Sequence, residues 1–501
     1  MAIIKSGRRF ILFSFFIFCF NPIHANNLQI TGISVNQTTQ MVSFTLSWDN
    51  SWRVSSAPNN WDAVWVFIKF KDCSAGANTP YTHGTLSSTT ADHSFTNLEA
   101  MTSVNGATST QSSTQGATMD YTDGIMLRRN SIGLGTVTSS VSLKVSNLPS
   151  AASSISTSVY GLEMVYVPQG DFYVGDQSGG NYYTFLATAV ATDPPMQITS
   201  SYETGAQSFY VNAPAGTPTT ISSVPSTFPK GQYGFYMMKY EITQGLYAEF
   251  LNSLGSVAAT ARFPGNFGSN RNQLNVVSGV YSSTRPDRAQ NWLSWADVSA
   301  LLDWACLRPM TETEYEKSCR GSTGTSFTLE YSWGNTTIAA GLTYTGTAIE
   351  NGTETFSSGN AEYSNTAITN GDGGLGPVRA GVFATSSSTR QTAGASYYGI
   401  MELTGNVREV VVAMVTPGTN NTFTRVWGDG SIDPVTGNHN VVGGWPSAAV
   451  AVANNSTTNA VGHKGGAWNN AIAQLTVSER LYIYNAPVIT RQNYNGGRGV
   501  R

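Results

Sequence analysis

The sequence predicts an α+β protein in two parts: an all-β, sandwich-like stretch, then a longer region with few helices and much irregular structure. Three observations carry that expectation. Val42, Phe44, Leu46 and Trp48 alternate with polar Ser43, Thr45 and Ser47, the two-residue period of a half-buried strand. Farther along, Ser294 followed by Asp297 marks a helix start, and Thr311 followed by Glu314 makes a capping box. Charged residues make up only 11% of the 501 and glycine contributes 50, so Ser, Thr, Asn and Gly must solvate much of a loop-rich surface.

Lys5, Arg8 and Arg9 precede an apolar run over residues 10–20, and Ile23-His24-Ala25 ends on a small residue. Residues 1–25 are therefore expected to be a cleaved signal peptide. The run is short for a bilayer, and no transmembrane segment is expected after cleavage. The expected location lies across the inner membrane: periplasmic, on the outer surface or extracellular. Removing Lys5, Arg8 and Arg9 leaves 24 basic against 30 acidic residues, a net of −6. With no basic stripe to neutralise phosphates, nucleic acid is not an expected partner. Cys73, Cys306 and Cys319 remain, so at most one disulfide can form; Cys306 and Cys319 are favoured as its pair over Cys73, and a buried lone thiol is the alternative reading.

Residues 26–157 are expected to form the sandwich. Besides the 42–48 alternation, residues 64–70 make a nearly continuous apolar run suited to a central strand, and Val141, Leu143 and Val145 alternate again. Residues 102–118 are mostly Thr, Ser, Gln, Gly and Ala, a long loop or poorly ordered insertion. Trp48, Trp52 and Trp61 are assigned to packing rather than to a ligand groove. A polar linker over 147–154 leads to the second part, residues 158–501. There Thr243 is placed to cap a helix carrying Tyr247, Phe250 and Leu251, and Ser294 and Thr311 cap two more.

Seven segments then stand in a recognisable order. They are Met164-Val165-Tyr166-Val167-Pro168-Gln169-Gly170, Tyr240-Glu241-Ile242-Thr243, Arg308 with Thr311-Glu312-Thr313-Glu314-Tyr315-Glu316, Tyr331-Ser332-Trp333-Gly334-Asn335, Gly405-Asn406-Val407-Arg408-Glu409, Gly465-Gly466-Ala467-Trp468 and the closing Gly499-Val500-Arg501. In this order residues 164–501 resemble the formylglycine-generating, or sulfatase-modifying factor, family. The resemblance implies its C-type-lectin-like fold.

It also implies a site. The family oxidises a sulfatase cysteine with molecular oxygen, using copper held by two thiolates, soft ligands suited to Cu(I). The positions of those thiolates, four residues after the double glycine and five beyond, are Asn470 and Leu475 here. Neither binds copper, so no catalytic residue and no copper are expected. His83, His93, His439 and His463 stand singly, without metal-ligand spacing. The family's calcium site carries over to the Glu402 and Glu409 side chains and the Gly405 and Val407 carbonyls, hard oxygen ligands of the kind calcium takes. Arg408 replaces a family tryptophan beside that site. A second calcium site would use Asn360, Ala361, Asp372 and Gly374.

The expectation is an exported, catalytically silent binding or structural protein of the cell envelope. Trp468, Asn469, Asn470, Tyr482, Tyr484, Asn485, Asn493 and Tyr494 would contact a protein or glycan ligand, through amide and phenol groups suited to adaptable contacts. The alternative is a protein-modifying oxidoreductase of the formylglycine-generating type. Cys306 would then be its nearby nucleophile candidate.

Overall fold

The computed structural model describes residues 27–76, 78–101, 122–150, 154–176, 184–188, 195–211, 219–322, 328–341, 344–345, 355–356, 358–368, 373–414, 423–440, 443–448, 461–484 and 489–501. The expected signal peptide and the 102–118 insertion lie outside the described residues.

The first strands are β1 (Gln29–Asn36), β2 (Met41–Arg53) and β3 (Asp62–Asp72), then β4 (Ser94–Phe95), β5 (Leu98–Ala100), β6 (Ile125–Arg129) and β7 (Gly133–Lys144). β1, β2, β7 and β4 form one sheet in that order. Its inner face presents Val42, Phe44, Leu46, Trp48, Val141 and Leu143 to Val64, Val66, Ile68 and Leu127 of a second sheet. This is the expected sandwich, and the alternation read at 42–48 is its inner and outer faces.

The second sheet does not stop at the sandwich. Strand β8 (Ile155–Val167) runs through the boundary expected at 157/158 and pairs antiparallel with β3 from Ile155↔Asp72 to Val165↔Asp62. Its far end pairs with β9 (Phe235–Met238). The order then continues through β14 (Gly499–Val500) to β10 (Arg308–Pro309), strands from the end and middle of the chain. One sheet thus carries strands from both expected parts.

β3 explains its own composition. Val64, Val66, Ile68 and Phe70 face the sandwich core. Ala63, Trp65 and Phe67 face the opposite way, into a core with Tyr236, Tyr247, Phe250 and Trp304. A strand covered on both sides reads as a continuous apolar run. Trp48 is buried and donates its indole N–H to Asp62 at 2.9 Å, while Trp61 stacks on Tyr166 with ring centroids 4.1 Å apart.

Three helices begin where their caps predicted. α1 (Gln244–Ser253) has Thr243 accepting from the Leu246 N–H. α2 (Trp295–Trp304) and α3 (Glu312–Arg320) start with complete capping boxes, Ser294/Asp297 and Thr311/Glu314. Both satisfy backbone donors that a helix start leaves unpaired.

Cys306 and Cys319 do not pair: both are buried free thiols. Cys306, just after α2, packs in the core on one face of the long sheet, and Cys319 in α3 packs with Val165, Met310 and Tyr315 on the other. The sheet stands between them.

Candidate functional site

β11 (Arg408–Val412) pairs antiparallel with β12 (Val461–Lys464) and parallel with β13 (Asn495–Gly496). These strands bring the glycine-asparagine turn, the double glycine and the last loop together. Gly466 has a left-handed φ of 67°, and a Cβ there would stand 2.5 Å from Leu475 Cδ2. The chain can therefore turn tightly over the leucine.

That turn separates the two positions where the resemblance expects thiolates. Leu475 is fully buried with Tyr331, Trp333, Ala361 and Tyr363, an ordinary apolar cluster. Asn470 lies in a polar cluster instead. Its Nδ2 donates to Gln474 Oε1 at 2.8 Å and to the Tyr482 hydroxyl at 2.9 Å, and its Oδ1 accepts from Arg408 Nε at 3.2 Å. The Arg408 guanidinium lies between the Tyr482 and Tyr494 rings, 3.6 and 4.0 Å from their centroids. Burial lowers the pKa of Arg408, while the two phenols favour its charge.

Of the expected ligand-contact residues, Asn470, Tyr482 and Tyr494 meet in this cluster. Trp468 is buried beside it and donates its indole N–H to the Asn493 carbonyl at 3.0 Å. Asn469 is partly exposed, and its Oδ1 has no hydrogen-bond partner. The Tyr484 side chain and Asn485 lie outside the described residues.

The sequence reading missed two members. Arg408 was placed beside the calcium loop, but its guanidinium turns into the aromatic cluster. His463 sits on β12 opposite Val410, buried, with neither ring nitrogen hydrogen-bonded. Burial first, then the Arg408 charge, hold its pKa well below the ordinary histidine value, so the ring is neutral. A lone histidine carries no spacing signal that would have found it. Among the described residues, no group of three His, Cys, Asp or Glu side chains is arranged to hold a metal ion.

The Glu402–Glu409 loop has its own geometry. Gly405 turns at φ 85°, where a Cβ would stand 2.5 Å from the Glu362 carbonyl oxygen. Next to it, Asn406 Nδ2 and the Val407 N–H donate to the two oxygens of buried Glu241, at 2.5 and 3.1 Å. Glu402 Oε1 accepts from the Gly381 N–H at 2.7 Å, and Glu409 Oε1 accepts from Arg498 Nε at 2.7 Å. The second oxygens of Glu402 and Glu409 have no hydrogen-bond partner. Burial pushes Glu241 well up, with Glu409 adding to the shift, and pushes Glu402 to about 7. Burial opposes the Arg498 charge, but Glu409 and Glu241 outweigh it and raise its pKa.

Of the four groups expected to hold the first calcium ion, the Arg498 guanidinium bonds one, the Glu409 carboxylate. At the second site, Asn360 Oδ1 accepts from the Ala339 N–H, and the Ala361 and Gly374 carbonyls accept from Gly341 and Ile368. Asp372 lies outside the described residues.

A lectin-like arrangement of long loops around a double-glycine turn defines a class of protein, and the family comparison names it. The family model described as "Sulfatase-modifying factor enzyme 1-like domain" matches residues 156–501, and the chain belongs to that family. A comparison with curated proteins found no match. Among solved structures, the chain is similar to the crystal structure of the group B streptococcus pilus 2b backbone protein. The identity is 12%, over 42% of this chain and 83% of that one, with a TM-score of 0.12. That score is too low to inform the fold.

Proposed function

We propose that this chain is an exported, non-catalytic binding or structural protein of the cell envelope, built on its sulfatase-modifying factor domain. The observation that carries the reading is the fate of the two thiolate positions. One is an asparagine held by Arg408 and Tyr482, and the other is a leucine sealed in a core. An amide and an alkyl chain offer no soft donor for Cu(I).

The same cluster supports binding. Tyr482 and Tyr494 are half-buried rings with a cation between them, and Asn469 and Asn493 lie near the surface beside them. Rigid aromatic groups with adjacent amides suit a protein or glycan ligand of the envelope. The oxidoreductase alternative has weaker support. The Cys306 thiol is buried against His83, Nε2 at 3.5 Å, and burial raises its pKa, which disfavours the reactive thiolate.

Two measurements test the proposal. A Cys-x-Pro-x-Arg peptide incubated with the chain and copper should yield no aldehyde by mass spectrometry, and formylglycine would overturn the non-catalytic reading. Capture from native envelope should fall when Tyr494 is changed to alanine. Capture of the same ligand at wild-type strength by Tyr494→Ala would remove the cluster from the binding reading.

A further inference from the structure

We propose that the Arg498 guanidinium is the resident cation of the Glu402–Glu409 loop, doing there the work that a bound calcium ion would otherwise do. The work has two parts: neutralising buried carboxylate, and tying a loop together through main-chain carbonyls.

Arg498 is fully buried and directs its N–H groups onto protein oxygens throughout. Nε donates to Glu409 Oε1 at 2.7 Å. Nη1 donates to the Met238 and Lys239 carbonyls, both at 3.2 Å. Nη2 donates to the Met401 and Glu402 carbonyls at 2.8 and 3.3 Å, and lies 2.6 Å from Glu409 Oε1. The acceptors come from the loop itself, from β9 and the residue after it, and from β11. Carboxylate and carbonyl oxygens gathered around one positive centre resemble a hard-cation shell, but a planar fork stands at its middle.

Two arguments set the guanidinium against a metal at that point. Calcium binds carboxylate oxygen at about 2.4 Å, and a guanidinium nitrogen already lies 2.6 Å from Glu409 Oε1. The two cations cannot share that oxygen without strong repulsion. Charge is also matched at that oxygen without a metal, because Arg498 pairs with Glu409 there. The inference stands apart from the proposed binding function, because the loop need not contact a ligand.

The test is a calcium titration of the chelator-treated full chain, read by calorimetry and by melting temperature. Wild type and Glu402→Gln should respond to calcium chloride identically, whatever sites exist elsewhere. Arg498→Leu should melt well below wild type, and Arg498→Lys should recover part of the loss, since it keeps the charge without the fork. The Glu402→Gln arm remains readable even where Arg498→Leu does not fold. Three results would overturn the proposal. One is calcium binding weakened roughly tenfold or more by Glu402→Gln. Another is a chelator-induced drop in melting temperature that this variant abolishes. The third is an Arg498→Leu variant that melts with wild type.

Discussion

Two buried arginines, Arg498 and Arg408, are held in opposite ways. Arg498 is enclosed on every side, with a carboxylate for its charge and four carbonyls for its remaining donors. Arg408 is also buried, but its neighbours are two half-exposed phenol rings and an uncharged amide. A charge matched by a buried carboxylate cannot change partners without leaving that carboxylate unpaired. A charge held by aromatic faces can, because the rings lose little when they slide apart. The first arrangement ties distant strands and a loop together, and the second stands against two partly exposed rings.

The comparison assumes that both clusters hang on one frame, and the largest expected effect tests the frame. A fragment beginning at Val159 loses β3, uncovering one edge of β8 and the apolar core behind it. It should show no cooperative melting by circular dichroism. A sharp transition near that of the full chain would mean that the sulfatase-modifying factor domain folds alone.

Arg498→Leu strands Glu409 in the interior and should cost about 3–5 kcal/mol in urea denaturation. Arg408→Leu keeps an apolar body between the two tyrosines and should cost about 1–2 kcal/mol, near the value of a desolvated cation–π contact. Equal losses would erase the distinction between a structural and an adaptable arginine.

A pH series sharpens the description of the closed cluster. Glu402 has a folded pKa of about 7 against an ordinary 4.5. The folded state therefore binds the extra proton, and the group weakens folding progressively as pH rises from 4.5 to 7. Glu402→Gln carries no such penalty, so its stability relative to wild type should grow across that window by on the order of 3 kcal/mol and then level off. A flat difference from pH 4.5 to 8 would place Glu402 in a wetter site than its burial implies. The smallest effect belongs to the open cluster. Tyr482→Phe removes one hydroxyl bond to Asn470 and should cost about 1 kcal/mol. A loss as large as that of Arg498→Leu would show the cluster to be structural after all.

Local chemistry made much of this legible. The alternation at 42–48 reads as an inner and an outer face because side chains in a strand alternate, and no other part of the chain is needed to see it. Thr243, Ser294 and Thr311 announce their helices because a cap acts within one turn. Residues 64–70 announce a central strand, though not which cores would cover its two faces. The ordered segments from Met164 to Arg501 were enough to recognise the family.

What the sequence by itself determined were these local elements, the family, and the absence of thiols at 470 and 475. Only the tertiary structure decided that β8 crosses the expected boundary, that Cys306 and Cys319 lie on opposite faces of one sheet, and where Arg408 and Arg498 point. Arg498 lies 89 residues from Glu409 along the chain, and nothing about Gly497-Arg498-Gly499 says which carboxylate it will meet. The periods of strands and helices are local and survive in the sequence. The partner of a long charged side chain depends on which distant strands pair, and that is settled only when the whole sheet closes.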